Sequence, residues 1–273
     1  AVLLGADGRG PGRALPPRHD GRPTMSLTTI DFRRLHLQPG QRVLDLGCGE
    51  GRHAITAWLE APVQVVGLDL SARDLGTAAV RAREFTAPAQ PDRSLTFLRG
   101  SCAEVLDHIP DYQRVLDEIR RVLKPGGVLA VSVPRFVPEW VCWQLSDAYH
   151  EVEGGHVRIF RTSELTSAVE SRGLKRYHRH WAHSLHVPYC WLRCLLWRRG
   201  EHAWPLRTYH RLLVWDLMRR PWITRALDAL LNPLLGKSVV VYFTRNSLPA
   251  GTSVPTGTRV PAGTSIPAGA GGR

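Results

Sequence analysis

The chain has little of what a secreted or membrane-spanning protein needs. Its 273 residues include five cysteines, at 48, 102, 142, 190 and 194. So sparse and odd a set argues against a disulfide scaffold and for a reducing cytoplasm. No apolar run approaches the ~20 residues that span a bilayer, which excludes a transmembrane helix. The opening, AVLLGADGRGPGR, has an apolar stretch too short for a signal peptide and no basic region ahead of it. Lysine is scarce, three against 33 arginines, a skew expected of GC-rich bacterial coding. What is present, 43% hydrophobic and 22% charged residues, suits a globular chain and excludes wholesale disorder.

The net charge of +12 belongs to one segment. Residues 25–171 carry 16 basic and 19 acidic groups, whereas 172–225 carry 12 basic and 2 acidic ones. That second segment also holds six of the nine Trp and six of the twelve His. The two ends differ from both. Residues 1–24 are rich in Gly, Pro and Arg without periodicity and are expected to be a disordered leader ahead of Met25. From Ser247 the chain repeats SLPAGT, SVPTGT, RVPAGT and SIPAGA, with Pro and Gly in every unit, and residues 246–273 are expected to be a disordered tail.

Between the ends, short apolar strands alternate with helices. Strands are expected at 41–47, 63–69, 95–99 and 128–133, and helices at 51–60, 71–85 (Ser71 as N-cap), 110–123 and 162–172. Arg172–Ala182 reads as a sixth strand, and 188–232 as two or three helices before a last strand, Ser238–Thr244. This order implies an α/β fold, a Rossmann-like doubly wound, mostly parallel sheet with a helical insertion. Its ligand should lie at the carboxyl ends of the strands. The expected division is a main domain over 25–185, completed by the strand at 237–245, with the insertion or lid at 186–236.

The chemistry concentrates at Asp45-Leu-Gly-Cys-Gly-Glu-Gly51, a strand-to-helix turn whose alternate glycines let a ligand approach the backbone. Asp69 ends the next strand, placed to accept hydrogen bonds from both hydroxyls of a ribose. The spacing is GxGxG rather than GxGxxG, and Asp45 would oppose a pyrophosphate. S-adenosylmethionine has no phosphate, and its ammonium suits a carboxylate, so Asp45 favours that cofactor over a nicotinamide dinucleotide.

VLDLGCGEG, VVGLDLS and DHIPDYQRVLDEIRRVLKPGG resemble, in order, the signatures of class I S-adenosylmethionine-dependent methyltransferases, nearest the ubiquinone- and menaquinone-biosynthesis branch. The resemblance covers roughly residues 38–175, and the last strand fits the antiparallel strand that closes such folds. It implies that Asp45, Gly47 and Gly49 face the methionine moiety, with Cys48 and Gly51 also at the cofactor. Asp69 would take the ribose and Leu70 the adenine, with Ser101 and Cys102 on the adenine side. Ser101 stands where the family usually has an acid. The sequence departs further: only nine residues, 101–109, separate Gly100 from the next helix. A crossover and strand need more, so the fourth, central strand is expected to be missing. The strand at 42–46 should then lie beside 128–133, or a gap should separate them.

Substrate-side candidates are His108 and His156, since imidazole has the pKa for accepting a proton from an acceptor group. Each could equally be a structural hydrogen-bonding residue. The Trp- and Arg-rich segment 172–225 has three readings: a contact with anionic membrane, a nucleic-acid surface, or a solvated helical lid. Nucleic acid is the least favoured. His186, Cys190 and Cys194 align on one helix face but are expected to pack rather than bind metal. The sequence thus points to a methyltransferase of a small, lipid-like acceptor, cytoplasmic or peripheral to a membrane. Its alternatives are a non-catalytic binding member of the fold and, disfavoured by Asp45, a nicotinamide-dependent oxidoreductase.

Overall fold

The apolar runs expected as strands need cover on both faces, and the computed structural model provides it. The structure describes residues 2–6, 28–100, 111–150, 159–199, 203–219 and 221–246. Strand β1 (Val2–Ala6) is followed by β2 (Arg42–Leu46), α1 (Arg52–Glu60), β3 (Gln64–Asp69), α2 (Ala72–Arg83) and β4 (Ser94–Arg99). Then come α3 (Tyr112–Val122), β5 (Val128–Pro134), α4 (Phe136–Leu145), α5 (Asp147–His150), α6 (Thr162–Glu170) and β6 (Leu174–Ala182). Helices α7 (Val187–Leu195), α8 (Trp204–Arg219) and α9 (Trp222–Leu235) precede the last strand, β7 (Ser238–Arg245).

Among the described residues the strands form one sheet in the order β4-β3-β2-β1-β5-β7-β6. β2, β3 and β4 pair in parallel, and β7 runs antiparallel between β5 and β6. Period-two alternation splits the core between the two faces. On one, Leu129, Val131 and Phe243 pack with Leu116, Ile119, Phe160 and Leu165. On the other, Val43, Val65, Ala130 and Tyr242 pack with Ala54, Ala57, Ile30 and Phe32.

The centre of the sheet corrects two expectations. Residues 1–24 are not wholly a disordered leader, and the sheet does not lack a strand between β2 and β5. Val2–Ala6 fills that slot, antiparallel to both neighbours: Leu4 pairs with Leu44 on one side and Leu129 on the other. The physical reason is the slot itself. Two buried strands that face each other across an empty position leave a row of backbone donors and acceptors unpaired on each, and a short apolar segment satisfies both rows. Val-Leu-Leu-Gly-Ala has that composition; read alone, it looked only like the start of a leader. The connection at 101–110, the remainder of the leader and the repeat tail from 247 lie outside the described residues.

Candidate functional site

Parallel pairing brings the carboxyl ends of β2, β3 and β4 to one edge, with the glycine turn between β2 and α1. Gly47, Gly49 and Gly51 all take positive φ, at 65°, 50° and 80°, which other residues adopt at a cost. Their surroundings separate their uses. A Cβ on Gly49 would meet nothing within 4 Å, so the turn is open there, whereas one on Gly51 would lie 2.8 Å from the Ala78 Cβ. Gly49 thus leaves room for a ligand and Gly51 for packing against α2.

The amides of the turn are already engaged. Gly47 and Cys48 N–H donate to the Leu68 carbonyl at 2.9 and 3.1 Å, and Gly49 N–H donates to Asp69 Oδ2 at 2.7 Å. The turn is therefore not a nest for a phosphate, which would need those donors free. Ser71 N–H donates to the other Asp69 oxygen at 2.9 Å, while Ser71 Oγ caps α2 by accepting from Asp74 N–H. Asp69 is thereby clamped between turn and helix. Each of its oxygens can accept another hydrogen bond.

Asp45 shares the α1 side of β2 with Val43. Its side chain is fully buried, and neither oxygen has a hydrogen-bond partner among the described residues. Burial pushes its pKa up to about 7; the Asp69 charge adds to this, while the Ala54 amide and Arg52 oppose it. The Ala54 amide lies near enough to favour the anion without making a hydrogen bond. An acid so placed has no side chain bonded to it, and a cation at the turn would add to the charges that favour its anion.

Cys48 does not line the open side as expected. Its thiol is buried beneath the turn, and a Cβ on Gly67 would lie 3.0 Å from its sulfur and 2.7 Å from Phe97. Burial, with Asp45 and Asp69 nearby, pushes the thiol up to about 12, so it stays protonated and inert. Gly67→Ala is therefore expected to cost about 1–3 kcal/mol through overpacking, read as a lower denaturation midpoint at unchanged m-value. Leu70 is half exposed beside Asp69, and its carbonyl accepts from Arg99 Nε at 3.1 Å. Ser101, Cys102, His108 and His156 lie outside the described residues.

A histidine cluster adjoins the turn. Thr29 N–H donates to His53 Nε2 at 3.3 Å, its hydroxyl lies 3.4 Å from His183 Nε2, and its carbonyl 3.1 Å from His180 Nε2. His53 is on α1, two residues past Gly51; His183 follows β6 in a left-handed conformation, φ 64°. Burial holds His53 well below its ordinary pKa and pushes His183 down to about 4, with His186 adding to the latter. Both are neutral at physiological pH. A left-handed backbone at a half-buried, neutral imidazole such as His183 is a common mark of a functional position. The richness of 172–225 in histidine was a signal; its meeting with Thr29 and α1 is tertiary. His186, Cys190 and Cys194 form no metal cluster among the described residues, and Cys194 is buried.

Comparison with known proteins bears on the family and the fold. Residues 20–178 match a family described as a methyltransferase domain. A ubiquinone biosynthesis O-methyltransferase of Paraburkholderia phymatum is 32% identical over 185 residues, 60% of this chain and 76% of the relative. One of Paracidovorax citrulli is 31% identical over 50% of this chain and 63% of its own length. Sterol 24-C-methyltransferase ERG6B of Gibberella zeae is 27% identical, covering 52% of this chain but 41% of the relative. Among solved structures, a protein of Bacillus halodurans C-125 assigned as a methyltransferase aligns with a TM-score of 0.51 at 15% identity. It covers 79% of this chain and 97% of that one. The cyclopropane synthase CmaA1, complexed with SAH and CTAB, aligns at 0.50 and 18%, covering 78% and 80%. These two likenesses bear on the fold alone.

Proposed function

The chain belongs to the class I S-adenosylmethionine-dependent methyltransferases, in the branch of the ubiquinone-biosynthesis enzymes, and from that premise we propose that it methylates a small, lipid-like acceptor. The observation that carries this reading is a pair of carboxylates, Asp45 and Asp69, on either side of an open glycine turn whose own amides are taken. Such a turn repels a pyrophosphate and suits a ligand with a cationic end and a ribose. S-adenosylmethionine, when bound, supplies an electrophilic methyl on a sulfonium.

The residues of the chain do the positioning. Asp69, held rigid by Gly49 and Ser71, accepts from the ribose hydroxyls, and Leu70 offers an apolar surface to the adenine. Gly47 and Gly49 keep the backbone low at the methionine end, and Asp45 supplies negative charge from beneath the turn. Because Asp45 is buried, its attraction for an ammonium acts through the turn rather than by direct contact. Methyl transfer is an in-line displacement, so holding the acceptor in line is most of the catalysis. A hydroxyl acceptor must also lose a proton, and a neutral imidazole takes it. His108 and His156 stay the proposed acceptors of that proton, and the neutral His183 is a further one. Ubiquinone and sterol enzymes among the relatives support a lipid-like acceptor. Peripheral association with an anionic membrane through 172–225 accompanies that reading.

Asp69→Asn is expected to weaken S-adenosylmethionine binding by about 1.5–3 kcal/mol, the worth of hydrogen bonds to a charged group, or roughly 10- to 150-fold. Asparagine keeps one acceptor for the turn, so the fold should survive. Calorimetry that finds equal affinity overturns this placement of the ribose.

One observation favours a second reading. β1 is antiparallel, so its amino end at Val2 stands at the ligand edge, where a parallel strand would present its carboxyl end. A binding protein without turnover is the outcome if the chain holds S-adenosylmethionine but transfers no labelled methyl to quinol, phenol or sterol acceptors.

A further inference from the structure

α9 is an amphipathic helix turned inside out. Its polar residues face the protein: Asp228 accepts from Ser184 Oγ at 2.6 Å and Leu185 N–H at 3.2 Å, and Asn232 Oδ1 accepts from Ser184 N–H at 3.0 Å. Most of its apolar residues face away, while Leu231 and Leu235 are half-buried on the inner side. Ile223, Leu227, Leu230 and Leu234 form one stripe at helical spacing, 59%, 43%, 72% and 71% exposed, and no residue of the helix is buried. α8 adds Trp204, Trp215 and Met218 on one exposed face, opposite the buried Leu206 and Leu213. Trp222 stands exposed at the start of α9.

An apolar face this large marks something that covers it. The charges around it select the occupant. Arg207, Arg211 and Arg219 are exposed on α8 beside Trp204, Trp215 and Met218, while Asp228 is turned inward and Asp216 is half-buried. A second copy of the chain would bring arginine against arginine. A surface that combines buried acyl chain with anionic headgroups satisfies leucine, tryptophan and arginine together. No described helix is long and apolar enough to cross a membrane, so these helices would lie in the plane of one.

We propose that the outward faces of α8 and α9 form a docking surface for an anionic lipid bilayer. The proposal rests on the reading of a lipid-like acceptor and gives it a route. The polar side of α9 holds the Ser184–Leu185 turn, and His183, next to that turn, reaches Thr29 beside the glycine turn. Docking therefore sets the methyl-transfer site at the bilayer from which such an acceptor comes.

The test is sedimentation of the full chain with vesicles of phosphatidylcholine alone and with about one-third phosphatidylglycerol. Binding should be strong to the anionic vesicles, weak to the neutral ones, and fall at least ~10-fold as salt rises from about 0.05 to 0.5 M. Ile223→Glu with Leu230→Glu should abolish it at unchanged melting temperature and unchanged S-adenosylmethionine affinity. Arg211→Gln and Arg219→Gln should each weaken it about 5-fold. Sedimentation with neither vesicle, equal sedimentation with both, or full binding by the double glutamate variant overturns the proposal. So does a dimer that the double variant converts to monomer, which would give the face to a second copy. Vesicle binding by a chain that fails to bind S-adenosylmethionine would support the docking surface and overturn the cofactor reading.

Discussion

Asp45→Asn is expected to stabilise the protein at pH 8 by about 1–3 kcal/mol and to weaken S-adenosylmethionine binding at least tenfold. The sign follows from burial. Asp45 titrates near 7 in the folded chain, well above the ordinary carboxylate range it has when unfolded. Between about pH 4 and 7 the unfolded chain has released a proton that the folded chain still holds. Stability therefore falls as pH rises through that window and is lowest above it, by roughly 4 kcal/mol for a shift of about three units. Asparagine removes the ionisation but leaves a buried amide without a partner, which returns about 1–3 kcal/mol of that gain. At pH 4, where Asp45 is protonated anyway, the substitution should give no gain. Thermal unfolding of both forms at pH 4 and 8 reads the difference, and calorimetry reads the affinity. A wild-type stability that is flat from pH 4 to 8 removes the buried ionisation from the account.

Leu4→Pro is expected to cost at least about 3 kcal/mol and to lower the melting temperature by roughly 6–12 °C. β1 lies between two strands, so there is no edge on which a proline could sit without losing a ladder hydrogen bond. The residue faces Leu44 and Leu129 at the middle of both ladders. Had Val2–Ala6 been a solvated leader, the same substitution would leave stability unchanged. Differential scanning calorimetry separates the two cases, and an unaltered transition would remove residues 2–6 from the sheet.

Local patterns carried much of the fold. β2, β3 and β5 are short runs of Val and Leu bounded by Gly or Asp, and Ser71 announces α2 through a cap that needs only its own neighbours. The glycine turn was legible because its constraint is local: positive φ at 47, 49 and 51 requires that residue type wherever the chain goes next. α4 was not legible. Pro138 sits in its first turn, and Val137, Trp140, Cys142 and Trp143 leave little polar face for periodicity to show.

The sequence by itself determined the α/β order, the family, and the acids that flank the turn, because each depends on residues close in the chain. Tertiary structure alone decided the rest, because each remaining feature joins distant segments. It placed Val2–Ala6 in a slot made by β2 and β5, and it set Asp45 behind the turn instead of in the open crevice. It gathered His53, His180 and His183 on Thr29. In α9 it turned a familiar pattern outward. Apolar spacing tells which residues share a face, but the side that meets the protein is set by Asp228 and Asn232, whose hydrogen bonds to the Ser184 turn exist only once β6 and α9 are packed together.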